Sequence, residues 1–457
     1  MSARVHILGI CGTFMGGVAL LARELGYRVS GSDANVYPPM STMLREAGID
    51  IVDGYSPEHL NPAPDLVVIG NALSRGNAAV EYVLNQGIPY ISGPQWLSEL
   101  LTNRWVMAVS GTHGKTSTSS MLTWILECAE KEPGFLVGGV PFGFQGSARL
   151  GSGPFVVEAD EYDSAFFDKR SKFVHYKPKT LVINNLEFDH ADIFDDLSAI
   201  QTQFHHLIRC VPSDGQIIAA KGEAIDEVLD RGVWTPTERM GVDNDCAWKV
   251  NGLTESYSQL RIRAPGGDEC EIAWSLIGRH NAENALSAVA AAAHVGVKLQ
   301  VACDALSKFE GVKRRLELLG EPAGVSVYDD FAHHPTAISS TLSGVRSAVG
   351  DARVIAVVEL RSNTMKDGTH RDALLPATKA ADSVFWFQPE GSAWSVSGGG
   401  DADSKHAVFN DVQVLHDALI AEAQAGDHLV IMSNGSFSGL HQQLLQSLAD
   451  KASTTEL

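Results

Sequence analysis

The chain has 457 residues, room for roughly two to four domains, and its 44% apolar content is enough for each to build a core. A formal charge of −20 excludes a basic nucleic-acid face, although a local loop can still bind phosphate through backbone N–H groups. No apolar run is long enough to cross a bilayer, no signal sequence precedes the first strand, and none of the six cysteines has C-x-x-C spacing; a soluble cytoplasmic protein with reduced, mostly buried thiols is expected.

The first segment alternates strands and helices. Residues 5–9 form a short apolar strand, 12–26 a helix closed by a glycine, and 27–33 a second strand ending in Asp33. Further strands are expected over 65–70 and 88–92, which makes a parallel, Rossmann-like α/β unit. Its glycines, Gly9, Gly12 and Gly16, lack the G-x-G-x-x-G spacing, which speaks against a nicotinamide oxidoreductase. A glycine turn before a helix still lets backbone approach a diphosphate, and Asp33 stands where it can meet a ribose hydroxyl. Tight strand–helix packing is the competing explanation for these glycines.

The second segment opens with a strand over 105–110 and a helix over 116–128. Between them lies Gly111-Thr-His-Gly-Lys-Thr116, the context a phosphate loop needs. The common pattern, G-x-x-x-x-G-K-[ST], asks for a glycine at 109, where this chain has Val109. Residues 154–163 read as a strand ending in Glu158, Asp160, Glu161 and Asp163, and 180–190 as another ending in Asp189 and His190. A carboxylate at a strand end beside a phosphate loop is a usual magnesium ligand, and a solvated acidic loop is the alternative. Asn281 and Asn284 share one face near the start of an alanine-rich helix, suited either to an adenine edge or to capping.

The third segment repeats the alternation. Strands are expected over 324–330, 353–360, 383–387 and 428–432, with a helix over 335–349 opened by Pro335. The Gly- and Ser-rich stretch 395–403 reads as a flexible surface loop.

Taken in order, the loop Gly111–Thr116, the run Glu158-Ala-Asp-Glu-Tyr-Asp163, the pair Asp189-His190, the helix start His280-Asn-Ala-Glu-Asn284, the pair Arg314-Arg315 and the turn Asp329-Asp-Phe-Ala-His-His-Pro335 resemble the Mur ligases, the ATP-dependent amino-acid and peptide ligases of cell-wall synthesis. The resemblance spans essentially the whole chain, and the loop's shifted first glycine is that family's form. It implies three α/β domains: a Rossmann-like UDP-sugar-binding domain over 1–103, a P-loop ATPase-like domain over 104–315 and a Rossmann-like peptide-binding domain over 316–457. Residues 6–17, 31–41 and 359–366 are most similar to the branch that joins the tripeptide L-alanyl-γ-D-glutamyl-meso-diaminopimelate to UDP-N-acetylmuramate in murein recycling. The sibling activity, adding free L-alanine to the same nucleotide, is the alternative.

The resemblance also implies roles. Gly111, Thr112, His113, Gly114, Lys115, Thr116 and Ser117 would hold the phosphates of ATP, with His280, Asn281 and Asn284 around adenine and Arg315 and Asp330, both near the boundary of the third domain, reaching the γ-phosphate and the ribose side. Thr116, Glu158 and His190 would bind Mg2+, while Lys115, His190 and Arg315 would be catalytic. Gly12, Thr13, Gly16 and Asp33 would bind the UDP-sugar, and Arg361, Ser362 and Asn363 the peptide. Several relatives carry a carbamylated lysine on the helix that here spans 197–209; this chain has none, and the nearest counterpart, His205, is expected to be a packed or surface residue. No nucleic-acid or membrane partner is expected, and monomer and dimer stay open.

Overall fold

A parallel strand buried on both faces has to be apolar along its whole length. In the computed structural model, which describes residues 3–37, 40–191, 193–242, 245–390, 394–396 and 405–455, strands of this kind form the middle of three separate sheets.

The first sheet has five parallel strands in the order Asp50–Asp53, Arg28–Asp33, Arg4–Leu8, Leu66–Ile69, Tyr90–Ser92. Strand order reverses at Arg4–Leu8, the position at which open α/β sheets bind ligands. The helix Thr13–Glu24 follows that strand, buries Val18, Ala19, Leu21 and Ala22, and is closed by Gly26 at φ +89°.

The second sheet has ten strands, with Val106–Ser110 between Thr180–Ile183 and Phe155–Glu158 and parallel to both. Lys115–Cys128 and Arg279–His294 pack together beside it, and the buried face of the second is mostly small residues, including Ala282, Ala285 and Ala288. At one edge a meander of Trp248–Gly252, Gln259–Arg263 and Glu269–Ala273 alternates buried Val250, Leu260, Ile262 and Ile272 with exposed partners.

The third sheet has six strands in the order Glu317–Gly320, Ser326–Asp330, His428–Met432, Val354–Glu359, Ser383–Phe387, His406–Phe409, with only the first antiparallel to its neighbour. The helix Pro335–Val349 begins at the expected proline.

Three expectations are corrected. The strand read over 154–163 stops at Glu158, and the chain then turns into a hairpin of Asp163–Ala165 with Asp168–Ser171. The strand read over 180–190 stops at Ile183. In both places the run of polar side chains cannot stay inside an apolar parallel sheet, and it leaves to line a cavity instead. The thiols also differ from expectation: Cys270 on the meander and Cys303 on the helix Leu299–Leu306 pack against each other and are joined as a disulfide. Of the remaining cysteines Cys246 is buried, Cys11 and Cys210 are half-buried and Cys128 is exposed. Within the loop read at 395–403, residues 397–403 lie outside the described residues. No described helix is long and apolar enough to cross a membrane.

Between the first two sheets, Arg104 donates to the carbonyls of Leu150, Gly151 and Gly153 and lies 5.9 Å over the ring of Phe155. Phe155 is fully buried. Phe155→Ala is expected to lower the unfolding free energy by about 3–5 kcal/mol, read from urea unfolding followed by tryptophan fluorescence.

Candidate active site

A cavity of about 980 Å³ lies where the three sheets meet, and residues of all three line it. Its floor is the loop after Val106–Ser110. Gly111 has φ +132° and Gly114 φ +78°, so both positions favour glycine. A Cβ on Gly114 would stand 2.3 Å from Asn284 Oδ1, and one on Gly111 would stand 3.1 Å from Asn185 backbone atoms. Val109 is fully buried within the strand, so the chain has no turn there and a glycine has no use. Two of the N–H groups counted as phosphate donors are already taken: Thr112 N donates to Asn185 O and His113 N to Asn185 Oδ1. The N–H groups that open the helix Lys115–Cys128 have no intrahelical acceptor and carry its partial positive charge. Ser117 lies in the same wall.

The Lys115 ammonium donates to Gly111 O at 2.7 Å and to Glu161 Oε2 at 2.9 Å. Burial works against its charge, but Glu161, Asp160 and Glu158 outweigh burial and raise its pKa. Glu161 Oε1 also stands 3.2 Å from His190 Nε2, and Tyr162 OH stands 2.9 Å from His190 Nδ1. His190 has φ +57°, a costly conformation for histidine, and its N–H donates to Asp189 Oδ1. Asp160 pairs with Lys172 at 2.9 Å; burial pushes its pKa up, but Lys172 and Lys115 outweigh that and hold it below the usual carboxylate range. The Thr116 hydroxyl donates to the Glu158 carboxylate at 3.0 Å and accepts from Arg315 Nη2 at 2.9 Å. Glu158 Oε2 accepts Gly138 N at 2.6 Å.

On the far side, Asn284 Oδ1 accepts the Thr118 hydroxyl, which in turn accepts from Asn184 Nδ2. Asn281 Nδ2 donates to Ile277 O. These two asparagines therefore brace the loop and the helix start, while His280 lines the cavity with its pKa pushed down to about 4 by burial.

Arg315 stands just before the first strand of the third sheet, and Asp330 ends its second. The Arg315 guanidinium lies 4.8 Å over the ring of Phe331. Asp330 accepts from Leu316 N, Ala332 N and the Thr341 hydroxyl; burial raises its pKa against those bonds. Its position next to Arg315 fixes the turn that delivers the arginine, and its bonds leave little of it for a ribose.

In the first sheet, Gly12, Thr13 and Asp33 line the cavity and Gly16 does not. A Cβ on Gly16 would stand 2.3 Å from Met40 Sδ, so its bareness serves packing. Asp33 accepts from Cys11 N and Asn35 N at 2.9 Å each, which shapes the loop it was expected to serve. Arg361, Ser362 and Asn363 do not line the cavity. Arg361 is exposed and packs against Gly435, and Ser362 caps a short helix by accepting Met365 N. Their neighbour Thr364 nevertheless donates to Asp189 Oδ1 at 3.4 Å, beside His190. His205 is buried, bonds Gly232 O and packs on Trp234, as a packed residue should.

Glu161, Asn184, Asn185 and Lys172 carry much of this site without having been singled out. Glu161 was visible as one acid in a cluster, but nothing in sequence says which acid of four meets Lys115.

Three domain families match the chain: "Mur ligase family, catalytic domain" over residues 4–105, "Mur ligase middle domain" over 109–292 and "Mur ligase, glutamate ligase domain" over 314–435. The chain is 55% identical to the UDP-N-acetylmuramate–L-alanyl-γ-D-glutamyl-meso-2,6-diaminoheptandioate ligase of Escherichia coli K12, over 99% of this chain and 100% of that one. It is 33% identical to the UDP-N-acetylmuramate–L-alanine ligase of Kineococcus radiotolerans, over 98% and 97%. The crystal structure of a murein peptide ligase from Psychrobacter arcticus matches with a TM-score of 0.77 at 48% identity, over 98% of this chain and 99% of that one.

Burial works to lower the pKa of His190, but its hydrogen bond with Glu161, with the charges of Glu161 and Asp189, raises it above 6.5. The protonated ring therefore stabilises the fold below its unfolded pKa, and that contribution is lost as pH rises through the folded value. Glu161→Gln should move the His190 midpoint downward in an NMR titration of the histidine ring protons.

Proposed function

The chain belongs to the Mur ligase family, and we propose that within it the protein joins the tripeptide L-alanyl-γ-D-glutamyl-meso-diaminopimelate to UDP-N-acetylmuramate in an ATP-driven step. The observation that carries this reading is identity along the full length: 55% with the tripeptide ligase of E. coli against 33% with the alanine ligase of K. radiotolerans. ATP-dependent amide-bond formation is the chemistry of the family, and the cavity has the parts for it.

A carboxylate does not condense with an amine at neutral pH without activation. In the reaction proposed, the lactyl carboxylate of UDP-N-acetylmuramate attacks the γ-phosphate of ATP and ADP leaves. The peptide amine then attacks the acyl phosphate, passes through a tetrahedral intermediate, loses a proton and expels phosphate. Two anions meet in the first step, so charge neutralisation and alignment dominate the catalysis. The helix N-terminus at Lys115 and Thr116 receives the phosphates, and the Lys115 ammonium turns from Glu161 to the transferring group. Arg315 supports the same charge from the junction with the third domain.

The oxygens of Thr116 and Glu158, 3.0 Å apart, suit Mg2+, a hard ion that prefers oxygen ligands. Bound there, the ion neutralises charge on the phosphates. His190 fits a second ion less directly, because its Nε2 faces Glu161. UDP-N-acetylmuramate is assigned to Gly12, Thr13 and Asp33 at the reversal point of the first sheet. The peptide is assigned to Arg361, Ser362 and Asn363, with support from the strand end they follow and from the Thr364–Asp189 contact. The domain limits 1–103, 104–315 and 316–457 and a cytoplasmic location, where ATP and the nucleotide sugar are available, complete the reading.

The acceptor decides the assignment. With ATP, Mg2+ and UDP-N-acetylmuramate, phosphate release is expected with the tripeptide and not with L-alanine; the reverse pattern would overturn the reading. Lys115→Ala should lower kcat with the tripeptide by at least about 100-fold. Arg361→Ala is expected to raise the tripeptide KM with little change in the KM for ATP, and unchanged peptide kinetics would remove Arg361 from the peptide site.

A further inference from the structure

We propose that His113, Glu187 and His334 form a binding site for a divalent transition-metal ion of the zinc class, distinct from the magnesium position at Thr116 and Glu158, and that this ion ties the third domain to the phosphate loop.

The three residues come from three places. His113 is in the phosphate loop, Glu187 follows the strand Thr180–Ile183, and His334 caps the helix Pro335–Val349 of the third domain. One donor atom from each lies within 4.8 Å of the other two. His113 Nε2 is 3.5 Å and His334 Nδ1 is 3.9 Å from Glu187 Oε2. A tetrahedral zinc ion with bonds of about 2.0–2.1 Å holds its ligand atoms about 3.4 Å apart, so small side-chain adjustments close the set. Two imidazoles and a carboxylate, with one position left toward the cavity, is a ligand set that zinc accepts and magnesium avoids.

The polar bookkeeping around these rings is incomplete without a ligand. His113 Nε2, the ring atom that faces Glu187, is buried and makes no hydrogen bond of ordinary geometry within the described residues. Buried polar atoms are nearly always satisfied, and one that is not calls for a water or an ion. The bond that now occupies His334 Nδ1, from Thr336 N, is long at 3.3 Å and easily exchanged for a metal bond. Glu187 is aimed by the Thr336 hydroxyl at 2.7 Å, the kind of outer contact that orients a metal-binding carboxylate.

Two ligands belong to the middle sheet and one to the third, so an ion bound here bridges the domains. The test uses the full chain without an affinity tag, with Co2+ as a spectroscopic probe and Zn2+ as a competitor, in excess Mg2+. One equivalent of Co2+ should give the visible absorption of a four-coordinate site, bleached by Zn2+, and Zn2+ should raise Tm. Glu187→Gln and His334→Asn, the second keeping a good helix cap, should each weaken Co2+ binding at least 10-fold and abolish the Tm rise. Glu158→Gln, which removes a magnesium ligand, should retain the absorption. Circular dichroism establishes that each variant is folded. Loss of the absorption in Glu158→Gln but not in Glu187→Gln would put the ion in the phosphate site and overturn the proposal. Equal Co2+ binding in all variants, an adventitious ion only, would overturn it as well.

Discussion

The contact on which most of the site depends is the pairing of Lys115 with Glu161. A buried ammonium without a counter-charge either loses its proton or destabilises the fold. Keeping Lys115 charged therefore requires carboxylates nearby, and the chain supplies Glu158, Asp160 and Glu161 within four residues. That density explains several features at once. The strand Phe155–Glu158 has to end where the acids begin. Lys172 is drawn in to balance Asp160. His190 takes a left-handed backbone conformation that sets its ring against Glu161.

Around this core the three domains contribute unequally. The middle sheet supplies the loop and the acids, the first offers an open turn at a strand reversal, and at the junction with the third an arginine reaches in on a rigid turn. The rigidity comes from Asp330, whose buried carboxylate collects two backbone N–H groups and the Thr341 hydroxyl around that turn. Arg315 is thus delivered to Thr116 by a carboxylate that has little capacity left to touch ligand itself.

How much of this was legible in the sequence depends on whether the signal was local. The parallel strands and the helices beginning at Lys115 and Pro335 were legible, because apolar runs, glycine turns and an N1 proline act within a few residues. Strand ends were not, since the polar runs after Glu158 and Ile183 were read as strand ends and the chain there leaves the sheet for the cavity. Which residues share the cavity was legible, but not how each spends its polar atoms. Lys115, Thr116, Glu158 and Arg315 line it together, while Asn284, Asn281 and Asp330 bond the backbone or neighbouring side chains. Gly16 is bare for the sake of Met40. Partner choice between groups more than forty residues apart, such as the Lys115 ammonium with Glu161 or the His113 backbone N–H with Asn185, is settled by sheet order, which no short motif encodes.

The Thr116 hydroxyl has one proton and two lone pairs. The proton points to Glu158 and one lone pair is held by Arg315. A cation seated between Thr116 and Glu158 would take over the carboxylate oxygen that now receives the proton, so the hydroxyl would have to rotate and the grip of Arg315 would change with it. A single rotor of one oxygen and one hydrogen thereby becomes the junction through which loading of the phosphate site is felt by the third domain.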